Sequence, residues 1–136
     1  MRMTGTRYVW LVCGLAVLTL DLAGSLAARY WGFAYGNLSA VSFLIYFCAG
    51  VGGGRLAGVR AGATAGAMTA LVDATAGWAM SSALGATAGS PSRLIGWEVV
   101  LVAAGVVFTG WVLGLVGGAV GKVVHRSVAA DSKEYP

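Results

Sequence analysis

Charge is what this sequence lacks. Nine Lys and Arg and five Asp and Glu occur in 136 residues, so 10% of the chain is charged while 58% is hydrophobic. A soluble domain is roughly 25% charged and about 45–50% apolar. The composition therefore excludes an ordinary water-exposed surface and fits a bilayer as solvent, with at most one domain in this length. Proline occurs only twice, whereas there are 22 glycines, a residue that lets transmembrane helices approach closely. The single histidine, His125, lies near the C-terminus, which excludes axial histidine ligation of a haem inside the bilayer. The two cysteines, Cys13 and Cys48, sit within apolar runs. They form neither a metal pair nor a disulfide framework, and small buried hydrophobes are the expected role. No nucleophile–base–orienter set is present, so no enzyme, cofactor or metal site is expected. The net charge of +4 does not imply nucleic acid. The basic residues stand one or two at a time between apolar runs, as topology signals do.

What the sequence does contain is four apolar runs, at residues 8–28, 39–57, 61–83 and 94–121. Each approaches the ~20 residues that cross ~30 Å of hydrocarbon as a helix. Arg55 and Arg60 divide the second run from the third, with Gly58 and Gly62 available for a tight turn. Seven basic residues (Arg2, Arg7, Arg55, Arg60, Lys122, Arg126, Lys133) fall on one side of this arrangement and two (Arg29, Arg93) on the other. The positive-inside rule then places both termini in the cytoplasm. Tyr30, Trp31, Phe33 and Tyr35 suit the outer interface, and Tyr8 and Trp10 the inner one. "SPSR", from Ser90 to Arg93, reads as a helix start. The Asn37-Leu38-Ser39 acceptor pattern beside a span reads as a plain helix cap. The first run also has the shape of a secretory signal, with "SLAA" as a cleavage site; the repeat described next argues for keeping it in the mature protein. Residues 1–123 thus form the membrane domain, and 124–136 a short polar cytoplasmic tail.

Shifted by 52 residues, Gly14 falls on Gly66 and Asp21 on Asp73, while "GVGGG" (50–54) falls on "GLVGG" (114–118) at a shift of 64. This predicts a helical hairpin duplicated in parallel, its halves related by an axis along the membrane normal. Helical spacing places Gly14, Val17, Asp21, Gly24, Ser25 and Ala28 on one face of the first span. Gly62, Gly66, Thr69, Ala70, Asp73, Ala76 and Gly77 share the equivalent face of the third. Small faces pack against helices and bulky ones meet lipid, so both aspartates are expected to point into the bundle. Gly110, Gly114, Gly117 and Gly121 form a stripe on the fourth span, and Ser42, Tyr46, Gly50 and Gly53 one on the second, continued by Gly54.

Two chemistries follow for Asp21 and Asp73. An acid in low dielectric with no cation beside it takes up a proton, and neutral carboxyls would then bond each other, Tyr46, Thr69 or Ser25 across helices. Alternatively the acids hold a proton or cation in passage, the default reading of an intramembrane acid. Because no row of polar groups leads through the spans, interhelical packing is placed first. The expected role is therefore a non-enzymatic accessory or self-associating subunit in a homo-oligomer or larger membrane complex. A small proton or cation channel or transporter comes second. A holin-like pore former, suggested by size and charged tail, comes third.

Other glycine patterns fail as ligand sites. Gly52, Gly54 and Ala57 make G-x-G-x-x-A, but at the end of a span rather than after a strand. "GGAVGK" (117–122) lacks the first glycine of a phosphate loop and has Val123 where Ser or Thr is needed. "AGVGGGRLAGVRAGATAG" (49–66) resembles small, glycine-rich, four-helix bacterial membrane families that remain uncharacterised. The resemblance implies a prokaryotic inner-membrane protein and no particular activity. Small multidrug transporters fit less well, since they place a glutamate in the first span where this chain has Asp21. Fluoride channels fit less well too, since "RYVWLVCG" (7–14) does not supply their early glycine-rich motif ending in arginine.

Overall fold

Glycine-on-glycine contact sets this architecture. The computed structural model describes residues 2–32, 38–85 and 96–131, with side chains described for 5, 7–32, 38–85 and 96–127. These residues are helical and contain no strand. In chain order they are α1 (Arg2–Trp31), α2 (Ser39–Ala57), α3 (Val59–Val72), a π-helical turn (Asp73–Gly77), α4 (Trp78–Ala83) and α5 (Trp97–Asp131). Three helices contain a stretch long and apolar enough to cross a membrane: Arg7–Trp31, Ser39–Ala57 and Trp97–Ser127. Phe33, Tyr35, the acceptor at Asn37, the "SPSR" start, Leu94 and Lys133 lie outside the described residues, as does the side chain of Arg2.

The break between α2 and α3 takes a single residue. Gly58 has φ +89° and ψ 178°, a backbone state that a Cβ disfavours. Its N–H still bonds the Gly54 carbonyl and its own carbonyl accepts from Gly62, at 3.0 and 3.1 Å. Gly62, the other expected turn glycine, is instead buried within α3. The two helices then fold against each other and against α5 almost without side chains. A Cβ on Gly50 would stand 2.5 Å from the Gly114 carbonyl oxygen, and one on Gly62 only 2.6 Å from the Gly50 oxygen. Gly54, Gly66, Gly110, Gly117, Gly118 and Gly121 meet facing backbone in the same way. Such proximity maximises dispersion contact where lipid supplies no hydrophobic drive between helices.

α1 joins this trio from one side, against α2, α3, the π turn and α4. Its small face turns inward: Gly14, Val17, Asp21, Gly24 and Ser25 are buried, whereas Leu11 and Leu15 are exposed by more than 65%. At its C-terminal end Arg29 donates to the Leu84 carbonyl (3.4 Å), partnering a carbonyl at the end of α4. The halves of the proposed repeat pack inequivalently. α2 lies extensively on α3, while α1 has no comparable contact with α5. Gly66 abuts the backbone of α5, but its counterpart Gly14 makes only ordinary contact with the Val72 side chain at 3.9 Å.

Three further expectations shift. The third apolar run is not one regular helix, because the π turn interrupts it at Asp73. Ala76, expected on the inner face, is exposed, since the widened turn changes the register of the residues beyond Asp73. Helix α5 does not end near Gly121 but continues to Asp131; no Gly or Pro between Lys122 and Asp131 stops it. Cys48 is exposed rather than buried, on the same side of α2 as the exposed Val41 and Leu44.

The seam makes a direct prediction. Gly114→Ala should cost about 1–3 kcal/mol through overpacking and lower the thermal midpoint followed by circular dichroism in mild detergent. Gly105→Ala, whose added methyl meets nothing within 4 Å, should not. Equal midpoints for the two variants would contradict backbone-level packing at Gly114.

Candidate functional site: a carboxyl pair at the π turn

Asp21 and Asp73 reach the same point from different helices. Asp21 lies about two-thirds of the way along α1 and is 2% exposed; Asp73 opens the π turn and is half-buried. Between them stands Gly77, the last residue of that turn. A Cβ on Gly77 would collide with Oδ2 of Asp21, lie 2.9 Å from its Cγ, and come within 3.1 Å of Asp73 Oδ1. The missing side chain at Gly77 is therefore the space the Asp21 carboxyl fills. The π turn matters here for a physical reason. A π turn holds more residues than an α turn and loosens the regular ladder, while Asp73 and Gly77 at its two ends, four residues apart, still share the inner face.

Tyr46 of α2, 1% exposed, donates its hydroxyl to Asp73 Oδ2 in a short hydrogen bond. Its ring leans on Phe43, with centroids 6.0 Å apart, and sits with Val17 and Ala70 in the apolar core directly beneath the acids. Ser25, expected beside the carboxyls, instead donates to Ser81 Oγ at 3.1 Å, and Ser81 donates to the Gly77 carbonyl at 2.9 Å. That chain ties α1 to α4 and to the π turn. Thr69 is buried, but its hydroxyl is used within its own helix, donating to the Ala65 carbonyl at 2.9 Å. Thr64, Thr75 and Thr109 do the same one turn back, the economical way to satisfy a hydroxyl in lipid. Thr69 therefore belongs to the packing and not to the carboxyl pair.

A cavity of about 190 Å³ opens onto the pair. Asp21, Ser39, Ser42, Tyr46 and Asp73 line it, with Leu38, Phe43 and Val106. It runs from the start of α2 at Ser39 to Tyr46, about 10 Å along the helix at 1.5 Å per residue. Ser39, Ser42 and Tyr46 recur at helical spacing, so one face of α2 presents hydroxyls all the way down to the acids. A second cavity of about 170 Å³ touches Asp73 from the side of Trp78, Val99, Val102 and Ala103. It is almost wholly apolar apart from Asp73 itself. In the other direction the path closes. Val17, Ala49, Thr69 and Ala70 are buried to within 1%, and beyond them the glycine seam leaves no room.

Among the described residues no three His, Cys, Asp or Glu side chains converge. The groups at hand are two carboxyls and three hydroxyls, all oxygen donors of the kind that hard cations and protons prefer. In the sequence Ser39 reads only as part of a helix-cap pattern and Ser81 carries no motif, because isolated serines at helix ends are common. Their role depends on which helix they meet.

Removing the Tyr46 hydroxyl in Tyr46→Phe should cost about 0.6–2 kcal/mol, read by thermal denaturation in detergent. Gly77→Ala should destabilise by about 1–3 kcal/mol, and less so when Asp21→Ala has made room for the methyl. Additive effects of Gly77→Ala and Asp21→Ala would show that the two positions do not touch. No family model, curated protein or solved structure matches this chain, so the geometry alone carries the functional reading.

Proposed function

We propose that this chain is a four-span integral membrane protein in which Asp21 and Asp73 bind a proton or a cation reached from the outer face. The fourth crossing is the run α3–π turn–α4. Its residues 59–83 are helical throughout and span about 37 Å at 1.5 Å per residue. Both termini are then cytoplasmic, in keeping with the 7:2 distribution of basic residues, and the membrane is a prokaryotic inner membrane, as the glycine-rich resemblance suggests.

One observation carries the binding reading. Two acids from separate helices meet at the foot of a hydroxyl-lined cavity, in a region where either would be costly alone. Two adjacent carboxylates repel. A shared proton or a bound cation relieves the repulsion, and the Tyr46 hydroxyl steadies one oxygen of Asp73 in either case. The row of hydroxyls supplies the polar approach that is not evident from the linear sequence, which moves this reading ahead of a packing role. Closure on the cytoplasmic side makes the site one-sided, so passage would require α1, outside the seam, to move against the other helices.

A packing role as an accessory or self-associating subunit is the second reading. The Ser25–Ser81 bond favours it, since it joins α1 to α4, which the glycine seam does not hold together. Reconstituted vesicles separate the two. Under an imposed pH gradient, or separately a Na⁺ or K⁺ gradient, the protein should carry flux. Asp21→Asn and Asp73→Asn should each reduce that flux to the level of empty vesicles. Flux absent in the parent protein, or indifferent to both substitutions, would overturn the proposal. Loss of oligomer in the same variants without any flux would establish the packing role instead.

A further inference from the structure

At the opposite end of α2 from Ser39, a cavity of about 500 Å³ opens where the α2–α3 turn meets α5. Arg55, Lys122, His125 and Arg126 line it, with Leu56 and Gly58. Lys122, His125 and Arg126 recur at i, i+3 and i+4, so they share one face of α5. Arg55 arrives from the last turn of α2. Among the described residues no acidic side chain lines the cavity.

The clustering is imposed by packing. Gly121 lies so close to α2 that a Cβ on it would stand 3.0 Å from the Arg55 nitrogen. The glycine seam therefore delivers the Lys122 turn of α5 onto the Arg55 turn of α2 whatever their charges. Like charges held together in this way repel unless an anion sits among them. The surroundings indicate which anion. Leu56, in the lining, and Val123, next to Lys122 in the chain, are exposed by 45% and 66%, at the end of an apolar stretch long enough to cross a membrane. Cations bordering an acyl-facing surface match a lipid whose phosphate is at headgroup depth and whose chains lie along α5. Guanidinium groups suit phosphate oxygens through paired hydrogen bonds.

We infer that the pocket formed by Arg55, Lys122, His125 and Arg126 binds the phosphate headgroup of an anionic phospholipid. The inference needs only that the helices lie in a membrane and is independent of the carboxyl pair. The test uses the full chain in mild detergent, with phosphatidylglycerol, phosphatidylcholine or inorganic phosphate added in turn. Bound lipid is counted by native mass spectrometry and thermal protection is followed in parallel. Phosphatidylglycerol should bind and protect, and phosphatidylcholine should not. Arg55→Gln and Arg126→Gln should each weaken retention about fivefold. Both residues are exposed, so neither change should unfold the chain. Arg60→Gln, outside the lining, should leave retention unchanged. Equal retention of the two lipids would overturn the inference. So would protection by inorganic phosphate alone, or an Arg60→Gln loss equal to that of Arg55→Gln, which would mark a diffuse surface attraction.

Discussion

Backbone-to-backbone contact among α2, α3 and α5 is the constraint from which the remaining geometry follows. In water, helices are driven together by burying apolar side chains; in lipid that drive is absent, and closeness itself must provide the attraction. Here glycine meets glycine at several facing positions and bare backbone at the others, so helix axes approach to the limit set by carbonyl oxygens. Closely packed interfaces of this kind have discrete arrangements and do not deform continuously. The seam consequently acts as a rigid half-bundle. It fixes where Tyr46 and Asp73 stand, and it closes the bundle beneath them toward the α2–α3 turn.

Against that rigid trio, α1 is held differently. It meets α2 and α3 through Val17 and ordinary side-chain contacts, and it is fastened by polar groups: Ser25 on Ser81, Arg29 on the Leu84 carbonyl, and Asp21 in the space beside Gly77. Interhelical hydrogen bonds in membranes contribute only ~0.6–2 kcal/mol each, and they exchange partners more readily than a close-packed seam slides. Under the proposed function, this division between one fixed body and one polar-tethered helix would couple occupancy of the carboxyl pair to the position of α1. Protonation or cation binding would alter the charge between Asp21 and Asp73, which the two bodies share.

The same seam has opposite electrostatic results at its two ends. Toward the start of α2 it leaves a cavity where acids and hydroxyls gather; toward the α2–α3 turn it crowds basic groups around a second cavity. Among the described residues, no basic side chain lines the first cavity and no acidic one the second. This is the pattern expected when a bilayer or a small ligand supplies the compensating charge.

Composition and spacing determined a good deal by themselves. An apolar, charge-poor chain with Arg55 and Arg60 interrupting its longest greasy run folds as membrane-length helices with a turn at that point, because backbone groups in lipid must bond within their own helix. The span at Ser39–Ala57 and the inward face of α1 are legible for the same reason: small and bulky residues segregate at 3.6-residue spacing. The convergence of Asp21 with Asp73 was suggested by matching positions, yet the cause differs from the symmetry that suggested it. Gly14 and Gly66 match in sequence and pack unlike one another, so the acids meet through a π turn and the vacancy at Gly77. Only the tertiary structure decided this. A π turn needs an extra residue accommodated by neighbouring helices, and no local propensity encodes that. Likewise Thr69 reads as a cross-helix partner until its hydroxyl is seen on its own backbone. Ser39, Ser42 and Tyr46 become a polar path only when α1 and α5 stand on either side of them. Which helix faces which is settled by long-range glycine contacts, and a linear sequence carries the small residues without saying which of them will touch.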